Sequence, residues 1–424
     1  MQHQSQSSPA PLHALGNLVA KAYDNPADSL RLEQAMITFL KSDATAYAKQ
    51  CICKELVKIG SAACVPVLAD LLLDPSVAES ACYALRSNTS EQAAEALRSA
   101  LSKAKQPVLS QVILAIGHRK DLVAVDDLIK LLNSDDEAVV LVSMNALGYM
   151  ADPRAAKALE MMTSGKYSAA ATQDLLHFAQ TMAQANQRAI ALELYREYCK
   201  PQESFLTRRT ALLGLMQYGG KDGAGIALST LEGKNTPLKS VVIGNIHYLS
   251  TDGITSQLVD QLGNLNAMQQ AELMDMLVKL KGKDMLGLIK QRVSSKSIEI
   301  RLAALKALGR IGDASSVSVL IGALDAATDE KTHAKTSLLQ LKAQGTDDEL
   351  LRQLPEQNEA TRIVLIRVLT DRDCSEAVDE FFKQAASGSP KLAITAYRSI
   401  RALGESSHLQ ELLRHLQQCK NDKV

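Results

Sequence analysis

Residues 298–324 read IEIRLAALKALGRIGDASSVSVLIGAL, and the reading of this stretch decides the fold. It holds one apolar helical face, a Gly-Asp break, and a second apolar helical face. Apolar residues fall at three- and four-residue steps, the period of a helix with one buried stripe. Gly312 can end a helix in the left-handed conformation, and Asp313 can cap the next. Small residues such as Ala303, Ala304 and Ala307 allow a neighbouring helix to approach closely. No catalytic group stands out.

The same break recurs along the chain. It appears as AIGHRKD at 115–121, ALGYMAD at 146–152, KLKGKD at 279–284, LKAQGTD at 341–347 and RALGES at 401–406. Neighbouring breaks lie mostly about 30 residues apart, the spacing of a solenoid. Each unit opens with a first helix, such as VPVLADLLLD (65–74) or VDDLIKLLNSD (125–135). A second helix follows, such as VVLVSMNALGYM (139–150). Neither helix buries its stripe alone, but stacked pairs do. The expected fold is therefore all-α, an α-α superhelix of about twelve helix pairs. The array is expected over 43–420, with N-terminal capping helices at 12–42 and a disordered polar lead at 1–11.

The pattern Ile-Arg-x-x-Ala-x-x-Ala-Leu-Gly-x-Ile-Gly-Asp, here Ile300 to Asp313, resembles the HEAT repeat. The form is similar to the bacterial phycobilisome-lyase type. The resemblance runs from about residue 43 onward and implies an α solenoid. The family's second-helix arginine matches Arg209, Arg301 and Arg362, while Leu109, Val140, Gln270 and Ala393 hold the equivalent place in other units. Residues 48–121 also resemble HEAT arrays in large envelope proteins of Bacteroidetes and Planctomycetes, which implies an accessory or scaffold role.

Composition narrows the function. Among 424 residues, Lys+Arg and Asp+Glu both number 47, so the chain lacks the basic excess of a nucleic-acid binder. There is no Trp, and aromatics make up 4%, which argues against a base-stacking groove. Seven cysteines spread over the chain do not form a disulfide framework. Cys51 and Cys53, two apart on a helix, face different ways and cannot easily grip one metal. None of the His residues is followed by Glu, so the His-Glu pairs of HEAT-fold di-iron hydroxylases are missing. Gly219-Gly220-Lys221 lacks the spacing of a phosphate loop and reads as an inter-helix turn. No catalytic, cofactor or metal motif is read.

No run reaches the roughly 18 apolar residues of a membrane helix. The polar start MQHQSQSSPAP is unlike a signal peptide. The compartment stays open between cytoplasm and, if a signal was removed, periplasm or envelope.

The candidate partner-binding residues are His118, Arg119, Lys120, Arg208, Tyr218, His247 and Tyr248. The first three form a basic spot after a helix end. Arg208 opens a second helix beside Arg209, with Arg208 expected to be the exposed one. Tyr218, His247 and Tyr248 are expected near the ends of adjacent second helices, which line the concave face of such solenoids. The leading expectation is a non-catalytic scaffold for a protein or peptide partner. An accessory module of a carbohydrate- or chromophore-processing enzyme comes second, and a nucleic-acid binder third.

Overall fold

The structure is a computed structural model that describes residues 10–249, 251, 253–387 and 389–418. Among these residues there are helices and no strands. The chain divides into two compact units, Met1–Gly219 and Gly220–Val424. Most of the expected disordered lead, and Cys419, lie outside the described residues. Its last two positions do not: Ala10 and Pro11 begin the helix Ala10–Ala22.

In the first unit the helix pairs start with Pro26–Leu40 and Ala46–Ile59 and end with Arg188–Tyr198 and Phe205–Tyr218. In the second they run from Gly220–Glu232 and Thr236–Gly244 to Val378–Ser387 and Pro390–Leu403, followed by Leu409–Gln418. The expected all-α fold of about twelve pairs is what forms. Within each unit the second helices pack on one another in chain order, and each first helix except Ile254–Asp260 packs on the second helix of its own pair.

Local sequence sets the helix ends. Ser204, Ser297, Asn266, Asn358 and Ser389 cap second helices by accepting a backbone N–H three residues on. The opening stretch behaves as read: Ile300, Ala304, Leu305, Leu308 and Ile311 of the helix Ile298–Ile311 are buried, as are Val317, Leu320 and Ile321 of Ser316–Gly322. At the break, Asp313 caps Ser316, but Gly312 has φ −58° and takes no left-handed turn. Its role is space, since a Cβ there would lie 2.4 Å from the Leu308 carbonyl oxygen.

Two glycines set the distance between second helices. A Cβ on Gly117 would sit 2.7 Å from Ala146 Cα, and one on Gly309 2.8 Å from Ser337 Cα. At this range small polar residues bridge neighbouring helices. Ser337 Oγ donates to the Leu305 carbonyl at 2.8 Å, and Thr181 Oγ1 to the Gly148 carbonyl at 3.1 Å.

Candidate functional site

The second-helix arginine is a turn clamp. Arg301 Nη1 donates to the carbonyls of Ser295 at 2.8 Å and Lys296 at 3.1 Å, and Nε pairs with Glu330. Arg301 stands four residues after its cap Ser297; in the same register Arg208 follows Ser204, Gln270 follows Asn266 and Arg362 follows Asn358. Gln270 reaches the Leu265 carbonyl at 2.9 Å, and Arg208 the Cys199 carbonyl at 3.3 Å. This corrects the expectation for 208 and 209. Arg208 is the clamp and is half-buried; Arg209, one residue on and rotated by about 100°, is exposed.

Arg119 is corrected in the same way. Its guanidinium points back over the end of the helix Ala78–Ser87. Nη1 donates to the carbonyls of Leu85 at 3.0 Å and of Asn88, and Nη2 to Ser90 at 3.0 Å. Leu85 and Asn88 carry carbonyls that the helix end leaves without partners, and Ser90 caps the next helix. Arg372 repeats the device in the second unit, donating to the carbonyls of Leu338 at 2.8 Å and Leu341 at 2.7 Å. Both arginines precede a residue in left-handed conformation, Lys120 at φ 55° and Asp373 at φ 54°. Arg119 is thus engaged by main chain, while Lys120 is exposed.

His118 sits differently. It is exposed at the end of the helix Val108–Arg119, with its ring 4.7 Å from that of Tyr149, at the end of the next second helix. Tyr149 in turn meets the His177 ring edge-on at 4.2 Å, on the helix Ser168–Gln184. Three successive second helices therefore contribute one row of rings. The close approach at Gly117 brings the first two together. Beside His118 opens a groove of about 540 Å³, lined among others by Lys54, Glu79, Tyr83 and Arg86. Arg86 lies over the Tyr83 ring at 4.6 Å, a cation–π contact. Burial, then the Arg86 charge, holds the His118 pKa down. Burial, then His118 and Lys120, does the same for His177. Both imidazoles are thereby favoured neutral.

Under the row, Asp174 is buried and accepts a bond from Asn145 at 3.1 Å. Burial pushes its carboxyl up to about 6, and the Asn145 bond opposes this only in part. Its folded pKa lies above the ordinary 3.8, so the folded state holds the proton more tightly. The stability Asp174 contributes is present below 3.8 and is lost as pH rises through about 6. Asp174→Asn keeps an acceptor for Asn145. It should raise stability at neutral pH by something of the order of 1–3 kcal/mol. It should also flatten the fall in Tm between pH 5 and 7. A wild-type Tm unchanged over that range would refute the assignment.

The remaining candidates belong to two different units. Tyr218 is half-buried at the end of the first unit. His247 and Tyr248 share a short turn, Ile246–Tyr248, in the second unit, their rings 4.2 Å apart. Sequence reading missed Lys54, Tyr83, Arg86, Tyr149 and His177. Aligning AIGHRKD with ALGYMAD would have placed Tyr149 at the position of His118.

Cys53, Cys64 and Cys82 are free and buried, and burial first of all pushes their thiols up to about 12. Cys51 is half-buried, on a different face from Cys53 as expected. Among the described residues no three His, Cys, Asp or Glu side chains group to hold a metal, and no helix is long and apolar enough to cross a membrane.

Residues 95–175 and 255–339 match the family model of HEAT repeats. No curated protein matches the chain. Among solved structures it is similar to a chain of the Kap95p–RanGDP nuclear import structure, at 13% identity and TM-score 0.45, over 94% of this chain and 61% of that one. It is also similar to human deoxyhypusine hydroxylase in complex with glycerol, at 15% identity and TM-score 0.27, over 66% of this chain and 96% of that one. A homology model of the AP-3 complex is similar at 12% identity and TM-score 0.34, over 94% of this chain and 96% of that one. The chain thus spans 61% of the length of the first of these. These are likenesses of fold alone. The described residues are all-α, and the stretches 95–175 and 255–339 are HEAT repeats by the family model.

Proposed function

We propose that the chain is a non-catalytic scaffold that holds a segment of a protein partner on the second-helix face of its first unit. The observation that carries this is the ring row His118–Tyr149–His177, continued by the groove with Tyr83 and Arg86. Aromatic side chains and arginine are the groups that anchor interfaces. Tyr83 is 44% exposed, so its ring is left over from folding. A stacked array offers such a face on a rigid support without any catalytic group.

The test is site-specific cross-linking. A photoreactive phenylalanine placed at Tyr83 should capture a discrete protein from the native lysate. The same group at Met161, which is 73% exposed on the first helix Pro153–Met162, should not. Equal capture at both positions, or none at Tyr83, would overturn the reading.

A further inference from the structure

We infer that the occupant of this face is an acidic, extended segment of a protein partner, with carboxylates repeating every third residue. This rests on the scaffold reading and adds the partner's chemistry. The first argument is an imbalance in charge pairing. Most carboxylates around the face are already engaged. Glu55 is held by Lys58 at 2.7 Å, Asp121 by Arg98, and Glu137 by Lys166 at 2.6 Å. Asp174 is buried against Asn145. Glu79 alone stays exposed on the groove wall without an ion pair. The cations are the reverse. Lys54, Arg86 and Lys120 have no ion pair among the described residues, and Arg86 is steadied only by the Tyr83 ring. The face therefore offers positive charge that folding has left unspent, and complementary charge selects an acidic partner.

The second argument is spacing. Lys54, Arg86 and His118 come from three successive second helices, Ala46–Ile59, Ala78–Ser87 and Val108–Arg119, which pack on one another in that order. Packed helices lie about 8–10 Å apart. A polyproline II chain advances about 9 Å per three-residue turn and returns to the same side. Side chains at i, i+3 and i+6 then meet one helix each. Beyond His118 the rings of Tyr149 and His177 continue as an uncharged wall.

A docked carboxylate adds a further element. His118 faces Arg86 across the groove and Tyr149 from the next helix, with Lys120 nearby on its own chain and Lys54 and Glu79 on the groove walls. A carboxylate placed there favours the imidazolium, so binding takes up a proton.

The experiment is a fluorescence anisotropy titration of the full chain with two labelled peptides of the same composition. One is the triplet Glu-Pro-Pro repeated four times; the other is its block isomer, four glutamates followed by eight prolines. The periodic peptide should bind at least about tenfold more tightly. Its affinity should rise several-fold from pH 7.5 to pH 6, and that rise should vanish in His118→Gln. Lys54→Gln, at an exposed position, and Arg86→Gln should each weaken binding about fivefold with Tm unchanged. Equal affinity for the two isomers overturns the spacing argument. Affinity untouched by Lys54→Gln and Arg86→Gln overturns the inference, as does tighter binding of oligothymidylate of equal charge. If the cross-linker at Tyr83 captures a protein while neither peptide binds, the acidic segment is wrong and the scaffold stands. If there is neither capture nor peptide binding, both fall.

Discussion

Leu308→Asp should dismantle the second unit while leaving the first folded. Leu308 is fully buried on the helix Ile298–Ile311, which packs on the second helices before and after it and on its own first helix. Removing the leucine forfeits about 1.5–3 kcal/mol of apolar burial. The carboxylate then sits in the seam without a partner, a further penalty of about 3–5 kcal/mol. The sum rivals the whole stability of an ordinary domain, about 5–15 kcal/mol. In an array each repeat leans on its neighbours, so the damage spreads along the stack. Limited proteolysis should leave a protected fragment that spans the helices of the first unit and ends near Gly219, and far-UV circular dichroism should lose part of its helical signal. Lys306→Asp, at an exposed position on the same helix, should melt like wild type. A Leu308→Asp melt that superimposes on wild type would contradict the packing.

Gly117→Ala and Gly225→Ala should move stability in opposite directions, although both put alanine into a helix. At Gly225, on Gly220–Glu232, a Cβ meets nothing within 4 Å, so the better helix former gains up to about 1 kcal/mol. At Gly117 the Cβ lies 2.7 Å from Ala146 Cα and 2.8 Å from Ala146 Cβ. A backbone atom cannot swing aside, so the two helices must part. Overpacking of that kind costs about 1–3 kcal/mol and outweighs the propensity gain. The parting also withdraws His118 from Tyr149. Gly117→Ala should therefore lower Tm by several degrees and weaken the periodic acidic peptide in the same protein. Stabilisation by Gly117→Ala would show that the helices stand further apart than described.

The fold was legible because the repeat advertises itself several times over. One Gly-Asp break is weak evidence, but breaks at a near-constant interval between apolar helical faces leave few alternatives. The site was half legible. His118 was visible as a basic group at a helix end. Tyr149 was legible only by aligning its break with that of His118, and His177 was not, because its contact with Tyr149 exists only once the second helices stack. Arg119 and Arg208 looked available because a charged side chain at a helix end usually faces water. Here each turns onto carbonyls that a helix end leaves bare. The confusion of Arg208 with Arg209 is a one-residue slip in register, which on a helix exchanges an inward position for an outward one.

The clamp made by Arg119 also orders events in time. The carbonyls of Leu85, Asn88 and Ser90 gain their donor from a residue about thirty positions downstream. Arg372 holds Leu338 and Leu341 in the same forward sense. On a translating ribosome the helix Ala78–Ser87 therefore stays unfinished until Arg119 has left the exit tunnel. Maturation of the nascent chain runs at least one repeat behind its synthesis at these two places, and nascent chains stalled with Arg119 still inside the tunnel should be cut by protease near residue 88, where those long enough to carry Arg119 outside it resist.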